Sequence, residues 1–131
     1  MAALRRLVPA VLGAASLLLI VAAPALADLE GRYSVEGRNP GGEGSYSGQA
    51  AVQQQGSVYR VAWKVGRQQY VGTGIRREDT FSVVYQGAGD GGRPGLVVYQ
   101  IRDDGSLVGL WVPLGGDKTG LERWTPAGRD G

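Results

Sequence analysis

The side chains able to do acid–base or metal chemistry in this 131-residue chain are few, because it contains neither histidine nor cysteine. The usual general base near neutrality, the thiol nucleophile and the common transition-metal ligands are therefore missing. What remains is carboxylate. Glu78, Asp79 and Glu122 could act as an acid–base pair if folding drew them together, as glycoside hydrolysis demands of two carboxyl groups. Glu78 and Asp79, however, lie in "RREDTF", which reads as a hairpin turn. Asp90, Asp103, Asp104 and Asp117 could offer hard oxygen ligands, but their spacing matches no loop that wraps one calcium ion, and turn chemistry accounts for them. No catalytic residue, metal site or cofactor is expected.

Glu122 stands apart. In "GLERWTP" the alternation of a strand turns either Leu121 and Arg123, or Glu122 and Trp124, toward the interior. A buried Glu122 would need Arg or Tyr partners, and would then be a candidate specificity group for a bound molecule. The other residues suited to binding are the large rings Tyr59, Trp63, Tyr85, Tyr99 and Trp111, which either fill a core or line a pocket. All ten aromatic residues lie between Tyr33 and Trp124. Burying roughly 150–250 Å² each, they fall far short of the cost of ordering the chain, at about 1.5 kcal/mol per residue. Most are therefore expected in the core, and a large empty interior is not.

These residues need strands to position them. Tyr59, Val61, Trp63 and Val65 alternate with Arg60, Ala62 and Lys64, and the series Phe81, Val83, Tyr85 and Val97, Tyr99, Ile101 do the same. Helical spacing is absent after residue 28. Eight strands are predicted at about 29–37, 44–53, 57–65, 68–76, 80–86, 95–102, 106–113 and 120–125. The breaks between them are too short for crossover helices, so neighbours should pair antiparallel. Residues 126–131 read as a flexible tail. "GAGDGG", although it formally contains G-x-G-x-x-G, runs into Arg93-Pro94-Gly95 instead of opening a helix, and is a loop rather than a phosphate cradle.

Glycine inside these strands is the feature that points to closure. Counting back from a two-residue Gly66-Arg67 turn pairs Trp63 with Tyr70, Val61 with Gly72 and Tyr59 with Gly74. A three-residue Asp103-Asp104-Gly105 loop pairs Ile101 with Leu107, Tyr99 with Gly109 and Val97 with Trp111, and the first hairpin could add Tyr33 opposite Gly48. A ring over bare backbone offsets the cost of the glycine and lets a sheet bend at a corner. The fold expected is an all-β antiparallel up-and-down barrel or closed meander of about eight strands, with a flattened two-sheet sandwich as the alternative. A barrel of eight strands is either filled by side chains or holds one small ligand.

Residues 1–27 combine Arg5-Arg6, a long apolar run and Ala25-Leu26-Ala27, the pattern of a secretory signal peptide helix cleaved after Ala27. Its removal takes two of fourteen basic residues and none of the twelve acidic ones, leaving a neutral chain. The basic balance then gives no support for nucleic acid or a membrane surface as a partner. Residues 28–125 form one domain on this reading, periplasmic or secreted, of unknown oligomeric state.

At "YRVAWKVGRQQYVGTGI" and "GLVVYQIRDDGSLVGLWVPLGGDKTGLERWTP" the chain resembles a group of small exported bacterial proteins of unassigned function, some labelled fibronectin-binding. The resemblance implies an exported, non-catalytic module that binds a protein partner. Gly31-Arg32-Tyr33 is also similar to the Gly-x-Trp that opens lipocalin and avidin (calycin) barrels, with Tyr in place of Trp. That likeness implies a carrier of a small hydrophobic ligand. In either case the loops "RNPGGEG", "GAGDGGRPG" and "PLGGDK" would supply contacts, as loops on rigid scaffolds do.

Overall fold

The computed structural model describes residues 28–89 and 92–128. The expected signal peptide at 1–27 lies outside the described residues, as do 129–131. Eight strands follow in order: β1 (Gly31–Arg38), β2 (Ser45–Gln55), β3 (Val58–Val65), β4 (Gln68–Arg77), β5 (Thr80–Gly87), β6 (Gly95–Ile101), β7 (Leu107–Pro113) and β8 (Gly120–Pro126). Each pairs antiparallel with its sequence neighbour, and β8 returns to β1, so the sheet is a closed up-and-down barrel with no open edge. The sandwich alternative is excluded. Every expected strand is present, with ends displaced by two residues or fewer.

The alternation read from sequence is the alternation of burial. Along β6, Gly95, Val97, Tyr99 and Ile101 are buried while Leu96, Val98 and Gln100 face out. Along β8, Gly120, Glu122 and Trp124 are buried and Leu121 and Arg123 exposed, which settles the direction of Glu122. The last strand reaches Pro126, and the Ala127 N–H donates to the Arg32 carbonyl at 2.9 Å. Of the expected flexible tail at 126–131, Pro126 thus belongs to β8 and Ala127 is tied to β1, while 129–131 lie outside the described residues.

The up-and-down order sends alternate connections to opposite ends. At one end, the base, the turns at 56–57, 78–79 and 102–106 are short, and the chain enters through Leu29, 1% exposed. Leu29, Tyr33, Phe81, Ile101 and Leu107 are all buried there, and the Tyr33 hydroxyl donates to the Leu29 carbonyl at 2.8 Å. At the other end, the mouth, lie the longer loops at 39–44, 88–94 and 114–119 and the tight Gly66-Arg67 turn. The three glycine-rich loops singled out in the sequence thus share one rim. The Leu114 N–H donates to the Pro94 carbonyl at 2.8 Å, and Arg93 Nη1 to the Leu114 carbonyl at 3.3 Å, tying two of them together.

The hairpin registers hold where the turns are tight: Tyr59 opposes Gly74, Val61 opposes Gly72, and Tyr99 opposes Gly109. The first hairpin differs. Gly48 opposes Val35, not Tyr33, and the ring over a glycine there is Tyr46 over Gly37. A 3-10 turn at Pro40–Gly42 lengthens that connection and shifts the register by two residues, which preserves the facing of every side chain. Gly74 is covered by Phe81 and Val83 rather than by Tyr59. The stacking of rings on glycine extends further than the sequence showed, to Tyr85 over Gly95 and Trp111 over Gly120.

Candidate functional site

Between the packed base and the rim, the barrel interior is open. A cavity of about 490 Å³ lies at the mouth, within the range of pockets that hold small molecules. Its walls are the rings of Tyr46, Trp63, Tyr70, Tyr85 and Trp111, and Glu122 contributes to its lining. The expectation of a largely filled interior holds only for the base: Trp124, Tyr99, Phe81 and Leu107 are fully buried, while the rings nearer the rim stand round an open space.

Strand geometry explains this division. Gly37, Gly95 and Gly120 face inward opposite Tyr46, Tyr85 and Trp111, and a Cβ at any of them would overlap the ring. With the glycine side chain missing, each ring lies against the wall instead of crossing the barrel, and space is left at the axis. The rings touch edge to face in a chain. Trp63 to Tyr85, Tyr85 to Trp111 and Trp111 to Tyr46 each have centroids 6.2 Å apart, as does Tyr70 to Tyr85. These are the favoured tilted contacts of aromatic pairs.

Glu122 is 8% exposed and accepts four hydrogen bonds. Oε1 receives Trp124 Nε1 at 2.8 Å, Trp63 Nε1 at 3.3 Å and the Tyr99 hydroxyl in a short bond. Oε2 receives the Tyr46 hydroxyl at 2.7 Å. All four donors are neutral, and indole N–H groups can only donate, so the set is arranged to satisfy a carboxylate. The network ties together β2, β3, β6 and β8. Burial, followed by the nearby Glu122 charge, raises the pKa of both Tyr46 and Tyr99 above the ordinary phenol value. Burial, then Tyr70 and Glu122, pushes Tyr85 up to about 12. Trp111 Nε1 is buried and meets no acceptor in full hydrogen-bond geometry, although it lies near enough to the Tyr46 hydroxyl to oppose slightly the rise in that group's pKa.

Of the six residues named from sequence, Trp63, Tyr85, Trp111 and Glu122 line the cavity. Tyr99 lies beneath it, fully buried and bonded to Glu122. Tyr59 is elsewhere: near the base, packed edge-on against Phe81 with centroids 5.5 Å apart. Glu78 and Asp79 turn β4 into β5 at the base and are exposed, whereas Glu122 is buried inside the barrel, so the carboxylates considered as a pair are not brought together. No group of three acidic side chains able to hold a metal occurs among the described residues.

No family model matches the chain, and no curated protein is significantly similar to it. The geometry therefore stands as the basis for any reading of function.

Sequence reasoning missed Tyr46 and Tyr70. Tyr46 had a signal: it lies at an inward position of β2, four residues before the buried Ala50. Tyr70 opposes Trp63 across the tight hairpin, and that pairing was already countable from the Gly66-Arg67 turn.

Proposed function

We propose that the domain is a non-catalytic binding module that takes a small, largely apolar or aromatic ligand into the mouth of its barrel. The single observation that supports this reading is the cavity of about 490 Å³ walled by five rings and floored by a carboxylate. Apolar pockets with one or two convergent polar groups are the usual form of a small-molecule site. The rim loops would govern access. The likeness of Gly31-Arg32-Tyr33 to the opening of lipocalin-type barrels agrees with this reading, and the export expected from residues 1–27 would suit it.

The test is titration of residues 28–131 with N-phenyl-1-naphthylamine, a neutral fluorescent probe of apolar sites. Saturable one-to-one binding that is lost on Val65→Trp, which fills the cavity from its wall, supports the proposal. Absence of saturable binding by this probe and by small aromatic ligands of either charge would overturn it.

A protein partner, including a fibronectin-like extracellular protein, is the second reading, and the outer wall favours it. Exposed Val84 opposes Leu96, Val98 opposes Leu110 and Leu110 opposes Leu121, so apolar side chains run contiguously across four adjacent strands. Soluble monomers rarely present large apolar patches without use. Retention of a matrix protein by the immobilised domain, abolished by Leu110→Asp but not by Val65→Trp, would favour this reading over the first.

A further inference from the structure

The carboxyl group at the floor of the cavity meets four neutral donors and, among the described residues, no cation. Glu122 is held by two phenols and two indoles. Buried carboxylates ordinarily face an arginine or lysine, because an ion taken out of water without a counter-charge is costly. Here the hydrogen bonds stand in for the cation, and they are unequally shared. Oε1 accepts three and Oε2 only one, so Oε2 retains acceptor capacity on a residue that lines the cavity.

The surrounding rings add to the same selection. Tyr46, Trp63, Tyr85 and Trp111 form an arc about the carboxylate, and aromatic faces attract cations through the ring quadrupole. Arg93, the cationic side chain that lines the cavity, belongs to the rim loop at 88–94 and donates to the Leu114 carbonyl. The arrangement is thus a carboxylate at the floor, electron-rich walls above it and positive charge confined to the rim.

We propose that the ligand carries an ammonium group on an aromatic or apolar body, with the nitrogen donating to Glu122 Oε2 and the body held among the rings. The inference rests on the pocket reading given under Proposed function and narrows it to a class of organic amines. An ammonium group would add a counter-charge to the four neutral donors of this carboxyl group, which a neutral molecule of the same shape cannot do.

Three indoles of matched size test it on the wild-type domain by calorimetry: tryptamine, 3-(2-hydroxyethyl)indole and indole-3-acetate. Tryptamine should bind at least about tenfold more tightly than the alcohol, and the carboxylate most weakly. An alcohol within about threefold of the amine, or a preference for the carboxylate, would overturn the inference. The pocket reading would survive that result provided the ligands displace N-phenyl-1-naphthylamine; failure of all three and of the dye removes both. Glu122→Gln should abolish the preference for the amine, and its persistence would place the cation elsewhere and overturn the assignment. If Glu122→Gln does not fold, Tyr46→Phe frees Oε2 while keeping the carboxylate. It should retain the amine preference, and loss of that preference would also overturn the inference.

Discussion

The ring of Tyr46 lies against the bare backbone of Gly37 on the neighbouring strand, and from that position its hydroxyl reaches Glu122 Oε2 at 2.7 Å. One missing side chain thus sets both the shape of the cavity wall and one of the four bonds that hold its carboxylate. A Cβ at Gly37 would overlap the Tyr46 ring. Gly37→Ala should therefore destabilise the domain by about 1–3 kcal/mol, the usual cost of overpacking, seen as a fall in Tm of roughly 5–15 °C. Gly92, where an added Cβ would meet no side chain or distant backbone within 4 Å, is the control. Gly92→Ala should leave Tm unchanged within a degree or so, since exposed substitutions away from special backbone are near neutral. Equal effects at the two positions would show that ring stacking on Gly37 does not matter.

Removing the carboxylate tests the network as a unit. In Glu122→Leu, two indole N–H groups and two phenol hydroxyls lose their acceptor inside the barrel, and each stranded donor costs about 1–3 kcal/mol. Some relief will come from water entering through the open mouth. The expected loss is about 3–5 kcal/mol by urea denaturation, as for a buried charged network broken at one partner. Glu122→Gln keeps one acceptor oxygen but turns an amide, itself a donor, toward other donors, and should fall between Leu and wild type. A Leu variant as stable as wild type would mean that the four bonds contribute little to closure.

Tyrosine ionisation gives a pH dependence with a definite sign. Tyr46, Tyr85 and Tyr99 hold their protons more tightly in the folded chain than the ordinary value of 10. A group whose folded pKa is raised contributes stability that is fully present below its unfolded value and declines as pH rises above it. Stability should accordingly be flat up to about pH 10 and then fall; for Tyr85 the decline spans 10 to about 12. Urea midpoints measured from pH 8 to about 12 would show this as a break near pH 10, with phenolate absorbance from Tyr46 and Tyr99 appearing only on unfolding. A midpoint that stays level through pH 11, or phenolate formed at those residues in the native barrel, would contradict the environments described.

Much of this barrel was legible before any coordinates. The alternation in "LVVYQI" and the Gly66-Arg67 turn determine facing and register locally, because side-chain period two and tight turns leave little freedom. Depth along the barrel axis was not legible. Tyr59 and Trp63 share one face of β3, four residues and so about 13 Å apart, yet one packs near the base and the other lines the cavity. Alternation assigns both to the interior and cannot say which end each occupies. The register of the first hairpin failed for a related reason: composition marked "RNPGGE" as a break but could not count the residues its 3-10 turn would absorb. The partners of Glu122 were half foreseen. Tyrosines were expected and are present; Trp124 was within reach of the same reasoning, two residues along β8 on the same inward face, whereas Trp63 arrives only because β3 lies across the closed barrel from β8.

Tryptophan emission should separate the cavity from the core. Trp124 is fully buried beneath the cavity, whereas Trp63 and Trp111 line it. A ligand entering the mouth contacts the latter pair and leaves Trp124 shielded, so ligand-induced quenching should be partial, with a blue-shifted residue of emission that acrylamide reaches poorly. Trp111→Phe should remove a large part of the quenching while preserving the fold. Its buried Nε1 meets no acceptor in good hydrogen-bond geometry, so the phenyl ring loses contact area but also deletes a poorly satisfied donor, and the two changes oppose each other at about 1–3 kcal/mol each. The near-neutral stability distinguishes Trp111 from Trp63, whose Nε1 bonds Glu122 at 3.3 Å and whose replacement by Phe should cost measurably more. Quenching that survives Trp111→Phe undiminished, at unchanged affinity, would mean that the ligand does not lie beside this ring and that the mouth cavity is not where it binds.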